Sequence, residues 1–115
     1  MSQPIDYDNL NLLKSVIGSD LKPILLSFLE ITPAVVEKLG LAISNQDAKQ
    51  VQHQAHTLKG SAANVGALTL PEICLKLEDM GRKGDITQAP DAFSQLQTAY
   101  PELAQAIQNY INQHL

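Results

Sequence analysis

Tryptophan is absent from this chain of 115 residues, and its other aromatics are only two Phe and three Tyr. A core therefore has to be built mainly from Leu, Ile, Val and Ala, which favours packed helices. A single cysteine, Cys74, rules out an internal disulfide, and with no CxxC pair or Cys/His cluster there is no zinc framework. The cytoplasm is the expected compartment. No apolar run approaches the roughly 18–20 residues needed to cross a bilayer. The polar start MSQPIDYDN also lacks the charged and apolar regions of an export signal. Positive charge is scarce as well: eight Lys and Arg stand against twelve Asp and Glu, a net charge of −4, with no basic stripe. That argues against nucleic acid or an anionic membrane as the main partner. Neither a GxxxxGK[ST] loop nor another glycine-rich nucleotide cradle occurs, so ATP chemistry is expected to belong to a partner.

What the chain does have is helical periodicity. Leu10, Leu13 and Ile17 share one face of a short helix over about 7–17, ended by Gly18, with Ser19 or Asp20 as cap for the next. Leu21, Leu25, Phe28, Thr32, Val35, Leu39 and Ala42 alternate steps of four and three, the seam of a bundle helix over 20–44. Pro33 falls inside that seam, and a kink near Leu29 to Ile31 is expected rather than a stop, two separate helices being the alternative. After a turn and cap at Ser44 to Asp47, Val51, Ala55, Leu58, Ala62 and Val65 repeat the spacing over 47–65. Gly66 and Ala67 turn the chain. Leu70, Ile73, Leu77 and Met80 then define a helix over 69–82, with Pro71 in its first turn. A punctuated loop follows, and Phe93, Leu96, Tyr100, Leu103, Ile107 and Tyr110 mark the last helix, over 88–113, with Pro101 inside it. With no repeat, low-complexity segment or linker, residues 1–115 read as a single all-α domain. Its architecture is an antiparallel up-and-down four-helix bundle with a short additional N-terminal helix.

The stretch HQAHTLKGSAANVGA holds the chemistry. At about 100° per residue, His56 points roughly 140° away from the centre of its helix's apolar seam, and so faces water. Lys59, Gly60 and Ala63 follow on the same strip: a cation beside the imidazole, then two minimal side chains. A glycine inside a helix costs roughly 0.5–1 kcal/mol relative to alanine, so its position calls for a reason. Phosphoryl transfer through histidine provides one. A neutral imidazole, with a reference pKa of about 6.5, is a competent nucleophile near pH 7, and an ammonium can offset charge on incoming phosphoryl oxygens. Removing the Cβ one turn away gives an approaching protein room.

These residues, AHTLKGSAANVGA with LLSFLEITPAVVEKL before and LPEICLKLEDMGRKGD after, resemble the histidine-containing phosphotransfer (HPt) domain family over nearly the whole chain. Its motif is His-x-x-Lys-Gly followed by small residues and a Gly. The resemblance implies a four-helix bundle, phosphorylation of His56 on Nε2, assistance to the phosphoryl group from Lys59, and docking of a response-regulator receiver domain over Gly60. It implies a phosphorelay role without a cofactor: a receiver's aspartyl phosphate passes to His56 and on to another receiver. A hybrid sensor histidine kinase would supply the phosphate, and Mg²⁺ would sit on the receiver alone. The other readings are an HPt-like adaptor that binds receivers without transfer, and a dimerising kinase helix pair. The kinase pair is disfavoured because Thr57, Leu58 and Lys59, not an acidic residue and a later Pro, follow the histidine.

If the third and fourth helices form a hairpin about Gly66 and Ala67, positions whose numbers sum to about 134 lie level, which brings Glu78 to His56. Its carboxylate can accept the Nδ1 hydrogen and leave Nε2 free. Members of the family often carry Gln or another polar group there. Arg82 lies one turn on, where it either reaches the phosphoryl region or pairs with Glu78. His53 reads as an exposed bystander, Cys74 as a small buried hydrophobe, and Ser61 and Asn64 as surface and capping groups. No metal site is expected, since His53 and His56 find further ligands only in Cys74 and Glu78. A receiver-binding apolar patch is expected to include Leu10 or Leu13, and a stand-alone monomeric carrier is expected.

Overall fold

The computed structural model describes residues 3–115. Five helices follow in order: α1 (Tyr7–Ile17), α2 (Leu21–Ser44), α3 (Ala48–Asn64), α4 (Thr69–Lys83) and α5 (Ala89–His114), with a 3₁₀ turn at Gly18–Asp20 joining the first two. Helices α2 to α5 pack in a ring, each against its chain neighbours, and α5 closes the ring on α2. The result is an up-and-down four-helix bundle with its long axis, 42 Å, set by α5. At about 1.5 Å per residue, a helix of that length spans nearly the whole molecule.

The seams face inward much as their spacing predicts. Leu21, Leu25, Phe28, Thr32, Leu39 and Ala42 of α2 are buried, as are Val51, Ala55, Leu58 and Ala62 of α3, while Val35, Met80, Phe93 and Tyr100 are only half-buried at the margins. Helix α2 runs unbroken through Pro33, which removes the two-helix alternative, and α5 likewise runs through Pro101. Two aspartates act as N-caps: Asp6 Oδ1 accepts from the Asn9 N–H at 3.1 Å, and Asp47 Oδ1 accepts from the Gln50 N–H at 3.2 Å. Asp20, one of the two residues expected as cap of α2, stands at the cap position but makes no such bond. Its backbone is already helical (φ −70°, ψ −16°), whereas a capping side chain reaches back only from an extended backbone.

The N-terminal segment closes one end of the bundle. Ile5 bridges to Ala67, the Asp6 N–H donates to Gly66 O at 2.7 Å, and the Leu68 N–H donates to Pro4 O at 3.0 Å. Gly66 turns the chain there with φ +79°, a conformation that an L side chain rarely adopts. Leu10 then plugs into the core, and the buried Tyr110 donates its hydroxyl hydrogen to Asn11 Oδ1 at 2.8 Å, which fastens α1 to α5. Leu10 is fully buried, so it belongs to no docking patch, and Leu13 is half-buried against the core. The apolar side chains that α1 turns outward are Tyr7, Leu12 and Val16.

Two backbones approach closely at Gly81. A Cβ there would stand 2.5 Å from Gln52 N and 2.6 Å from Ala48 O, so only glycine lets α4 lie this tightly on α3. Gly81 lies one turn beyond Glu78, and Gln52 one turn before His56. The contact therefore sets the spacing of the two helices next to the candidate site.

Candidate functional site

Helix α3 buries Val51, Ala55, Leu58 and Ala62, and what remains outward is the strip that carries His53, His56, Gly60 and Ala63. The His56 side chain is 67% exposed. Its Nδ1 stands 2.8 Å from Oε2 of Glu78, which projects from α4. An ionised carboxylate only accepts hydrogen bonds, so the ring nitrogen is the donor, and in a neutral ring the lone pair is then on Nε2. The hairpin register brings these two residues together across the helix pair.

Lys59 is the second partner of the same carboxylate. Its Nζ donates to Glu78 Oε1 at 2.5 Å, with Lys59 31% and Glu78 17% exposed. The ammonium read from the sequence as a cation beside the phosphoryl group is thus already engaged, a pairing the sequence reading did not anticipate. The signal was available: Lys59 lies three residues after His56, so a side chain level with one is within reach of both. The Lys59 hydrogen bond, aided by the one from His56, outweighs partial burial and holds the Glu78 carboxyl below its ordinary range.

Linkage then fixes a sign. The folded chain holds the Glu78 proton less tightly than the unfolded chain. The stability it contributes is therefore complete above the unfolded carboxyl value, about 4.3 in model peptides, and is lost as pH falls through the depressed folded value. Glu78→Gln should lower thermal stability near neutral pH and lose that deficit in strong acid. A deficit of constant size across the acid range would contradict this account.

Arg82 does not form the pair with Glu78 that was one of its two alternatives in the sequence. Its Nη2 donates to Asp79 Oδ1 at 2.5 Å, and both groups are exposed. With both Glu78 oxygens occupied, the nearer free carboxylate is the one three residues back on Arg82's own helix. His53 is exposed and shares with Lys49, Gln52, His56 and Glu78 a shallow hollow beside the site. Cys74 is buried beneath the pair, and burial pushes its thiol up to about 12, far from a reactive thiolate. Among the described residues, no three His, Cys, Asp or Glu side chains gather as a metal-binding group. Gly60 is open: a Cβ built there meets nothing within 4 Å, and Ala63, one turn on, is exposed too. The glycine is therefore not required by packing within the chain. Ser61 Oγ donates to Thr57 O at 3.1 Å, a local helix bond.

The site is thus an exposed imidazole on a helical bundle, held by a carboxylate from the next helix. Comparison with known proteins gives its class. The family model described as Hpt domain matches residues 23–106, and the chain belongs to the Hpt domain family, whose members are phosphocarriers of phosphorelays and not kinases. Its fold is similar to that of histidine-containing phosphotransfer protein B (HptB) from Pseudomonas aeruginosa PAO1. That match has 23% identity, covers 100% of both chains and has a TM-score of 0.92. It is also similar to the HPT domain of a sensor hybrid histidine kinase from Shewanella, 20% identical over 96% of this chain and 95% of that one, TM-score 0.79. No curated protein sequence matches the chain. Hpt domains interact with receiver and kinase domains, and no helix among the described residues is long and apolar enough to cross a membrane.

Proposed function

We propose that His56 is the phosphoacceptor, taking a phosphoryl group from the aspartyl phosphate of one response-regulator receiver domain and passing it to the aspartate of another. The observation that carries the reading is an exposed ring whose Nδ1 is held at 2.8 Å by Glu78, with Nε2 left to attack. In the transfer step the Nε2 lone pair forms a bond to phosphorus while the bond from phosphorus to the aspartyl oxygen breaks, and its electron pair returns to the receiver's carboxylate. The ring keeps its Nδ1 hydrogen and becomes cationic, and the Glu78 carboxylate faces that charge. Return transfer reverses each step. The chain needs no cofactor for this: Mg²⁺ belongs to the receiver, and ATP chemistry to a hybrid sensor histidine kinase upstream. A cytoplasmic monomer fits the role.

The test is to incubate the protein with a phosphorylated receiver, or with a hybrid kinase and ATP. Label on His56 that is stable in alkali and labile in acid is expected, with its loss on adding a second receiver. Stable binding to receivers with no phosphate on this chain would instead identify an adaptor.

Gly60 supplies a prediction in which two properties move in opposite directions. No atom stands in the way of a side chain there, so Gly60→Ala should stabilise α3 by roughly 0.5–1 kcal/mol, the usual helix difference. A longer side chain one turn from His56 obstructs the receiver, so Gly60→Gln should slow transfer while the bundle stays folded. Denaturation midpoints and transfer rates of both variants check this. Unchanged transfer by Gly60→Gln would leave the glycine without this explanation.

A further inference from the structure

One carboxylate serves two donors at this site. Glu78 Oε2 faces His56 Nδ1 at 2.8 Å, and Oε1 accepts from Lys59 Nζ at 2.5 Å. Both donors come from α3, while Glu78 reaches across from α4, so the three groups form a chain from ring to carboxylate to ammonium. His56 at one end is 67% exposed, Glu78 in the middle 17% and Lys59 at the other end 31%. The ion pair is therefore set inward of the ring, between the helices, while the ring itself projects. Arg82 does not compete for the carboxylate, being bound to Asp79.

Two features of donor chemistry give this arrangement a direction. A carboxylate kept ionised can only accept, and an ammonium can only donate, so the hydrogen in the ring contact has to sit on Nδ1. A glutamate side chain also has several rotatable bonds, and fixing one of its oxygens removes much of the freedom the other would have to leave the ring. We infer that Lys59 is a positioning residue: by gripping Glu78 Oε1 it aims Oε2 at His56 Nδ1 and so selects the tautomer whose Nε2 is free for phosphorus. The inference rests on His56 being the phosphoacceptor and deepens that reading, since it assigns Lys59 a role before any phosphoryl group arrives.

The test begins with the unphosphorylated protein, where no phosphoryl group exists for Lys59 to bind. Nitrogen-15 NMR of the His56 ring should show the tautomer protonated at Nδ1 in excess. Lys59→Met should reduce its ratio to the other tautomer by about threefold or more, the scale expected for losing one partly shielded ion pair. Lys59→Arg, which keeps a donor and a charge, should restore the ratio. A ratio unchanged in Lys59→Met overturns the assignment.

Transfer rates then complete a double-mutant cycle with Glu78→Ala, and with Glu78→Gln as a second, closer replacement. If Lys59 acts through Glu78, the double variant transfers no more slowly than the Glu78 variant alone. A double variant slower by the full factor seen for Lys59→Met alone places Lys59 on the phosphoryl group and overturns the proposal. The ring measurement is independent of phosphotransfer, so a wild type that takes no phosphate while showing the expected tautomer response would count against His56 as phosphoacceptor and leave the Lys59–Glu78–His56 linkage standing.

Discussion

His56→Gln should take no phosphate from a phosphorylated receiver, while unfolding at a denaturant concentration close to that of the wild type. Removal of the only nitrogen proposed to bond phosphorus leaves nothing to form the intermediate, so the loss should be complete rather than partial. Stability should change by no more than about 0.5 kcal/mol, because the ring is 67% exposed and its single carboxylate contact is one that the amide can partly replace. Labelling followed by acid treatment gives the first quantity, and urea denaturation followed by circular dichroism the second. Acid-labile label persisting on His56→Gln at a substantial fraction of the wild-type level would move the acceptor to another residue. His53, three positions earlier and also exposed, would be the first to examine.

Gly81→Ala should be strongly destabilising, although it adds a single methyl. The added carbon would stand 2.5 Å from Gln52 N and 2.6 Å from Ala48 O, both backbone atoms of α3 that no rotamer change can move aside. Separating α3 from α4 to admit it disturbs packing along the whole hairpin, and overpacking of this kind costs about 1–3 kcal/mol, with a larger loss for Gly81→Val. The same separation draws Glu78 away from His56, one turn along. Alanine here should therefore lower both the urea midpoint and the Nδ1-protonated share of His56. Retained wild-type stability would mean that the two helices can part at no cost, contrary to the contact described. The contrast with Gly60 is instructive: one glycine meets backbone on the inside, and the other meets nothing within 4 Å on the outside.

Several features were legible in the sequence for one physical reason. The four-and-three spacing of apolar residues is a direct image of a helix face, so Val51, Ala55, Leu58 and Ala62 could be placed inside and His56 outside from the spacing alone. The opposition of His56 and Glu78 also followed, because an antiparallel hairpin about a known turn fixes which residues lie level. Failures came where several partners compete for one group. Spacing allowed Arg82 to pair with Glu78, but it did not show that Lys59 and His56 would already occupy both oxygens and leave Arg82 to Asp79. Asp20 had the composition of a cap but not the backbone conformation, which depends on the preceding 3₁₀ turn. The burial of Leu10 and the bond from Tyr110 to Asn11 depend on how the first helix docks, and periodicity within that helix carries no record of its neighbours.

That docking has a consequence for the order in which the molecule assembles. Besides its packing on α2, the seat of α1 has two parts that are remote in the chain: the turn at Gly66 and Ala67, which receives residues 4–6, and Tyr110, which receives Asn11. Contacts within the α3–α4 hairpin close short loops, whereas the Tyr110–Asn11 bond closes a loop of nearly the whole chain and carries the larger entropic cost. Helix α1 is made before α2 to α5 but is the last of the five whose binding site is complete. Until α5 has settled, that seat lacks its Tyr110 part, and the Asn11 amide has no hydroxyl to bind.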